Sequence, residues 1–243
     1  MTALLHELAV RRTAGLDESF ARRCADALGV DGLAVSLSGG PVSSPEPVCF
    51  SGPASAALED LQFTLGEGPT LEVHTTGALV LDGDLELVPQ ERWPAFLPAV
   101  AELGVRAVFA LPLQIGAIRL GALTLHRAAA GSLSPLELRD ALVLSDTLTL
   151  TLLGEGSDEG PPDPPTPRQT RDATLYRAEV HQATGMIAVR LGVPPAAALV
   201  RLRAYAYAAD EPILDVARDV VARRLVFTPE GALRDGDGQG TAR

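Results

Sequence analysis

The chain has 243 residues, 47% of them hydrophobic, which supplies enough apolar side chain for one large or two modest packed domains and excludes a disordered polymer. Its net charge is −11, every cation is an arginine, and the two cysteines, Cys24 and Cys49, have no CxxC spacing, so a disulfide scaffold, a zinc ribbon and thioredoxin-like chemistry are excluded. No 18-residue apolar run occurs, and the opening MTALLHELAVRRTAG lacks a basic region ahead of an apolar core, so a cytoplasmic protein without a membrane span is expected.

In chain order, LAVSLS, PVCFSG, GALVLDGDL, RAVFALPLQI and IRLGALTLHR read as strands, and the last two form a hairpin with a tight turn near Gly116. SAALEDLQFTL and ERWPAFLPAVAELG have helical periodicity. SPLELRDALVLSDTLTLTLL opens with Ser134 as cap, Pro135 in the first turn and Glu137 three residues beyond the cap. These elements predict an α+β domain over 1–153, with helices on an antiparallel sheet. Residues 154–167, GEGSDEGPPDPPTP, hold eight Gly or Pro and no large apolar residue, and predict an extended acidic linker.

Beyond the linker no strand signal is read. Helices are expected over about 170–191, 196–209 and 212–225, a three-helix bundle closing an all-α domain at 168–229, and the polar, glycine-rich remainder over 230–243 predicts a disordered tail. In the third helix Ile213, Val216, Ala217, Val220 and Val221 form the apolar stripe, with Arg218, Arg223 and Arg224 outside it. Charge is distributed unevenly: residues 1–153 carry −9, the linker −4, residues 168–229 +3 and the tail −1. One basic segment on an acidic chain suits a polyanionic partner met by that segment alone.

Catalytic signatures are missing: GxSxG, HExxH, GxxxxGK[ST] and GxGxxG do not occur, and no enzyme is expected. His6, His74, His126 and His181 lack ligand spacing, so no metal site is predicted, and the carboxylate pairs Glu59 with Asp60 and Asp82 with Asp84 read as solvated faces or turns. The second C-terminal helix is more informative. Arg203 and Tyr207 lie one turn apart beside the small Ala204, an arrangement in which a ring and a guanidinium can hold an unstacked base. The bland alternative is that Tyr207 covers the bundle core and Arg203 is solvated.

Residues 180–225, with Gln182-Ala183-Thr184-Gly185, ALVRLR over 198–203, Ala204 and Ala206 beside Tyr207, and LDVARDVV in the third helix, resemble an ANTAR domain, the three-helix RNA-binding module of transcription antitermination regulators. Residues 15–153, through LQFTLGEGPTLEVHTTGALVLDGDL, RWPAFLPAVAELGVRAVFALPL and GALTLHR, are similar to the GAF domains that precede ANTAR in actinobacterial regulators. The resemblance implies binding of paired RNA hairpins in nascent transcripts so that a terminator cannot form, a homodimer to engage two hairpins, and a GAF domain for sensing or dimerisation.

For RNA the resemblance and the pattern nominate Thr184, Arg190, Arg203, Ala204, Tyr207, Arg223 and Arg224. Thr184 stands where many ANTAR domains have lysine, and Thr70 where many GAF relatives of this type have cysteine. Gly185, costing about 1 kcal/mol against alanine inside a helix, lets another backbone come close, either the crossing second helix or a nucleic-acid strand; with Ala183 it is assigned to helix packing, the commoner cause, and under either reading Gly185→Ala is expected to do harm. A small-molecule pocket of the GAF part is expected among Phe63, Leu65, Leu71, Trp93, Phe96, Phe109 and Leu111, with no cofactor named. Two other functions compete. A DNA-binding helix-turn-helix protein would meet base edges with the start of its last helix, which here reads Glu-Pro-Ile-Leu-Asp over 211–215. A ligand-sensing module would instead use the bundle to bind protein.

Overall fold

The computed structural model describes residues 2–11, 16–38, 45–154, 171–229 and 231–234, with side chains described outside 9–11 and 171–176. Most of the expected linker (155–167) and most of the expected tail lie outside these residues. The chain divides into two compact units, Met1–Thr170 and Arg171–Arg243.

In the first unit, β1 (Gly32–Leu37), β2 (Glu46–Phe50), β3 (Val80–Asp82), β4 (Ala107–Ile115) and β5 (Ile118–Arg127) form one antiparallel sheet in the order β2-β1-β5-β4-β3. The β4–β5 hairpin closes from Ile115 to Ile118, with Gly116 at φ 56 supplying the left-handed turn residue. Strand alternation sends Phe109, Leu111, Leu113, Leu123 and Leu125 to one face. There they pack with α1 (Thr2–Arg11), α2 (Glu18–Leu28) and α6 (Pro135–Gly154). The opposite face, with Val108, Ala110 and Ala122, packs with α3 (Pro53–Leu65), α4 (Pro69–Thr76) and α5 (Phe96–Glu102).

Helix ends are set by their cap residues. Asp17 accepts a hydrogen bond from the Phe20 amide at 2.7 Å and starts α2, and Gly29 ends it in the left-handed region. At α6 the Ser134 hydroxyl accepts from the Glu137 amide at 3.3 Å while Glu137 accepts from the Ser134 amide at 2.6 Å, the reciprocal box that the sequence predicts. The helix expected over ERWPAFLPAVAELG is confined to α5, with Gly104 at φ 71 beyond it, and GALVLDGDL shrinks to the three residues of β3.

The second unit is built from α7 (Arg171–Leu191), α8 (Pro195–Ala209) and α9 (Ile213–Val221), packed through Val180, Ala183, Ile187, Leu202, Val216 and Val220. Gly192 takes φ 63, Pro195 begins α8, and the α7 to α8 direction changes by 110°. Two expectations are corrected by this unit. The third helix ends at Val221 rather than near Leu225, because Arg223 takes φ 63 and turns the chain. Beyond that turn stands a hairpin, β6 (Leu225–Thr228) with β7 (Gly231–Arg234), in a region where the sequence predicts no strand and a tail from residue 230. The hairpin is held by burial of Leu225 and Phe227, by an edge-on contact of Phe227 with Tyr205 at 5.6 Å, and by Arg234, which pairs with Glu211 and Asp219. Among the described residues no single helix is long and apolar enough to cross a membrane.

Candidate nucleic-acid interface

The residues nominated for RNA do not share one surface. Tyr207 is 72% exposed and Ala204 is exposed beside it on α8, so the alternative in which this tyrosine covers the core is ruled out. Arg203 is only half-buried rather than solvated, and burial first, then the nearby Arg177 guanidinium, lower its pKa to about 10. Arg177 is 1% exposed, a buried cation that the hydrophobic pattern did not flag. Arg190 and Arg223 are exposed, and together they line a groove of about 720 Å³ between α7 and β6. Among the described residues Arg223 and Arg190 form no ion pair, whereas Arg224 is engaged by Asp219 at 2.7 Å.

Thr184 is removed from the contact set. Its side chain is 5% exposed and its hydroxyl donates to the Val180 carbonyl at 2.7 Å, one turn back in α7, so it satisfies the helix rather than facing a ligand. Ala183 is fully buried. Gly185 is exposed, and among the described residues a Cβ built on it meets nothing within 4 Å, which overturns close helix packing as the reason for glycine there.

The pocket expected in the first unit is likewise divided. Trp93 and Phe96 meet edge-on at 5.7 Å on the α3–α5 face, while Phe109 and Leu111 are on the opposite face of the sheet, because strand alternation separates them from Val108 and Ala110. Phe63 is buried and Leu71 half-buried; Leu65 packs at the edge of the α3–α5 core.

On the α3–α5 face the structure instead assembles buried polar side chains. The Ser36 hydroxyl donates to Glu59 Oε2 at 2.7 Å, and Thr70 donates to Glu59 Oε1 at 2.9 Å. Gln62 Nε2 donates to Thr70 Oγ1 at 2.8 Å, the Thr70 amide donates to Gln62 Oε1 at 2.7 Å, and Thr124 Oγ1 lies 2.8 Å from Thr70 Oγ1. Alongside them His126 Nε2 is 3.0 Å from Ser55 Oγ, which is 3.0 Å from Ser51 Oγ. Glu59 is 3% exposed and is therefore no solvated carboxylate, which corrects the expectation for that pair. Asp82, at the end of β3, and Asp84, in the turn after it, are matched to Arg92 at 3.0 Å and Arg106 at 3.1 Å. Burial pushes the thiols of Cys24 and Cys49 up to about 12, and it lowers the pKa of His74 and His126. Among the described residues no group of three His, Cys, Asp or Glu is placed to hold a metal ion.

Residues 168–221 match the ANTAR domain family. The β6–β7 hairpin is thus beyond the matched segment. Among solved structures the chain is similar to the GAF domain of the Acinetobacter phosphoenolpyruvate-protein phosphotransferase, with 13% identity over 64% of this chain and 94% of that one, TM-score 0.48. It is also similar to the phycocyanobilin-bound GAF domain of a cyanobacterial phytochrome, with 14% identity over 66% and 97%, TM-score 0.49. A GAF domain of a Coxiella burnetii phosphoenolpyruvate-protein phosphotransferase has 16% identity over 64% and 94%, TM-score 0.47. No curated protein matches the chain.

Proposed function

We propose that this chain is an RNA-binding regulator of transcription antitermination. In this reading residues 168–229 grip the loops of paired hairpins in a nascent transcript, residues 1–153 act as a GAF-type sensing or dimerisation domain, and 154–167 link the two. The observation that carries it is the ANTAR match over residues 168–221. The second unit adds supporting chemistry, since Arg190 and Arg223 are uncommitted to carboxylates among the described residues and Tyr207 offers an exposed ring. Unpaired loop bases present faces for stacking and edges for hydrogen bonding that A-form duplex hides. A dimer in the cytoplasm brings two such units to two hairpins, and linking the sites multiplies their affinities.

The DNA reading is weaker on chemistry. The start of α9 places Ile213 in the core and offers Asp215 rather than a cation, and neighbouring Glu211 is taken by Arg234. The deciding experiment titrates the full chain against tandem-hairpin RNA and against duplex DNA at one salt concentration. Tighter binding of RNA, with affinity falling steeply as salt rises, is expected. Equal or tighter binding of the duplex, or binding of neither, overturns the proposal.

A further inference from the structure

Two residues of the second unit each break a local backbone rule, and they break it in opposite senses. Gly185 occupies the exposed middle of α7, where among the described residues an added Cβ meets nothing within 4 Å and alanine makes a better helix. Arg223 carries a long side chain at φ 63, where the backbone favours glycine. The left-handed turn at Arg223 closes the end of α9, with the Arg224 amide donating to the Asp219 carbonyl at 2.8 Å, but neither that turn nor packing among the described residues calls for an arginine at 223 or a glycine at 185, and both residues line the same groove between α7 and β6. Locally unfavourable choices that persist together are a mark of a site built for something outside the fold.

The chemistry of the groove selects its occupant. Met186 and Val226 contribute apolar surface, Gln182 contributes an amide, and Arg190 and Arg223 contribute two guanidiniums that form no ion pair among the described residues. Among the described residues no carboxylate lines it. Its volume of about 720 Å³ is within the range of about 300–1,000 Å³ of small-molecule sites. Apolar surface for one face of a base, an amide for its edge and two cations for the flanking phosphates describe a receptor for a single-stranded nucleotide. Leu225, Val226 and Phe227 come from the hairpin, so one wall of this receptor is formed by residues outside the ANTAR match.

We infer that the α7–β6 groove receives one unstacked nucleotide of the bound RNA, with Gly185 leaving the space and Arg190 and Arg223 holding the adjoining phosphates. This inference rests on the RNA reading above and adds a second contact region to the exposed Tyr207 face of α8. The glycine keeps α7 open to the incoming backbone, and the left-handed turn at Arg223 presents its guanidinium at the groove.

The test uses the full chain and an RNA of two fixed stems with randomised loops, enriched on the wild-type protein. Gly185→Leu, which keeps a good helix former while filling the groove, and Arg223→Gly, which suits the backbone but deletes the cation, are each expected to weaken binding at least about tenfold. Both variants are expected to melt no lower than wild type, and Arg223→Gly to flatten the salt dependence by roughly one phosphate contact. Ultraviolet crosslinks from the enriched RNA are expected in peptides spanning 182–190 or 220–227. Wild-type enrichment with unchanged affinity in both variants and crosslinks elsewhere overturns the groove alone. Failure of the wild type to enrich any RNA overturns the RNA reading and the groove with it. A Gly185→Leu chain that changes its oligomeric state in sedimentation yet keeps RNA affinity assigns the groove to a protein partner and also overturns the inference.

Discussion

Gly32 and His126 face one another across the β1–β5 pairing, and a Cβ on Gly32 would stand 2.1 Å from His126 Nε2 and 2.4 Å from Ser55 Oγ. The absent side chain is what lets the Ser51–Ser55–His126 chain of hydrogen bonds cross the sheet face. Gly32→Ala is therefore expected to destabilise the first unit by roughly 2–4 kcal/mol, from overpacking together with a lost buried hydrogen bond. The sole tryptophan, Trp93, is buried in that unit, so its fluorescence in urea reports this transition. An unchanged midpoint would refute the crowding argument.

His126 also makes the first unit sensitive to acid. Its pKa is lowered by burial, against a smaller opposing pull from Asp31, so the folded state holds the ring neutral where the unfolded chain, with an ordinary value of 6.5, takes up a proton. Stability from this group is complete above about pH 6.5 and is lost as pH falls toward the depressed folded value; burial of His74 acts in the same direction. The urea midpoint followed at Trp93 is expected to fall between pH 7.5 and 5.5, and to fall less in His126→Gln. A midpoint that rises on acidification, or an identical fall in the variant, would exclude this role.

How far the sequence foretold these features depends on the kind of signal involved. Periodicity and caps are local, so the β4–β5 hairpin at Gly116 and the Ser134–Glu137 box at the start of α6 were legible. The Glu59 network was not, because its members come from β1, α3, α4 and β5, and nothing in the spacing of Ser36, Glu59, Gln62, Thr70 and Thr124 says that they converge. The expected aromatic wall was split for a related reason: hydrophobicity identified buried residues but not the sheet face that each one chooses, so Phe109 and Leu111 fell on the face opposite Trp93 and Phe96. In the second unit the Gly185 anomaly was visible from sequence, whereas its partner at Arg223 depends on a positive φ that no residue type announces.

Thr70 is the centre of that network, where its hydroxyl donates to Glu59 and accepts from Gln62, with Thr124 at 2.8 Å filling its remaining position. Thr70→Val keeps the volume but takes from Thr124 its hydroxyl partner and from Glu59 and Gln62 one hydrogen bond each, leaving them the Gln62–Glu59 contact at 3.2 Å. A loss of about 1–3 kcal/mol is expected, restored in large part by Thr70→Ser. Urea titration of the two variants at pH 7.5 decides the matter, and a Val variant as stable as wild type would mean that the neighbours find other partners.

Tyr207 separates binding from folding more cleanly than Arg203 does. Arg203 is half-buried beside Arg177, so its removal disturbs the interior of the second unit as well as any RNA contact. Tyr207 is 72% exposed on α8, and its ring contributes little to the core. If it stacks on a loop base, Tyr207→Ala is expected to weaken hairpin RNA by about 1–3 kcal/mol while leaving the thermal melt within a degree or two of wild type. Tyr207→Phe keeps the stacking face and is expected to retain most of the affinity. Equal RNA affinity in the alanine variant and wild type would remove the α8 face from the interface, and parallel losses in the alanine and phenylalanine variants would point to the hydroxyl rather than to stacking.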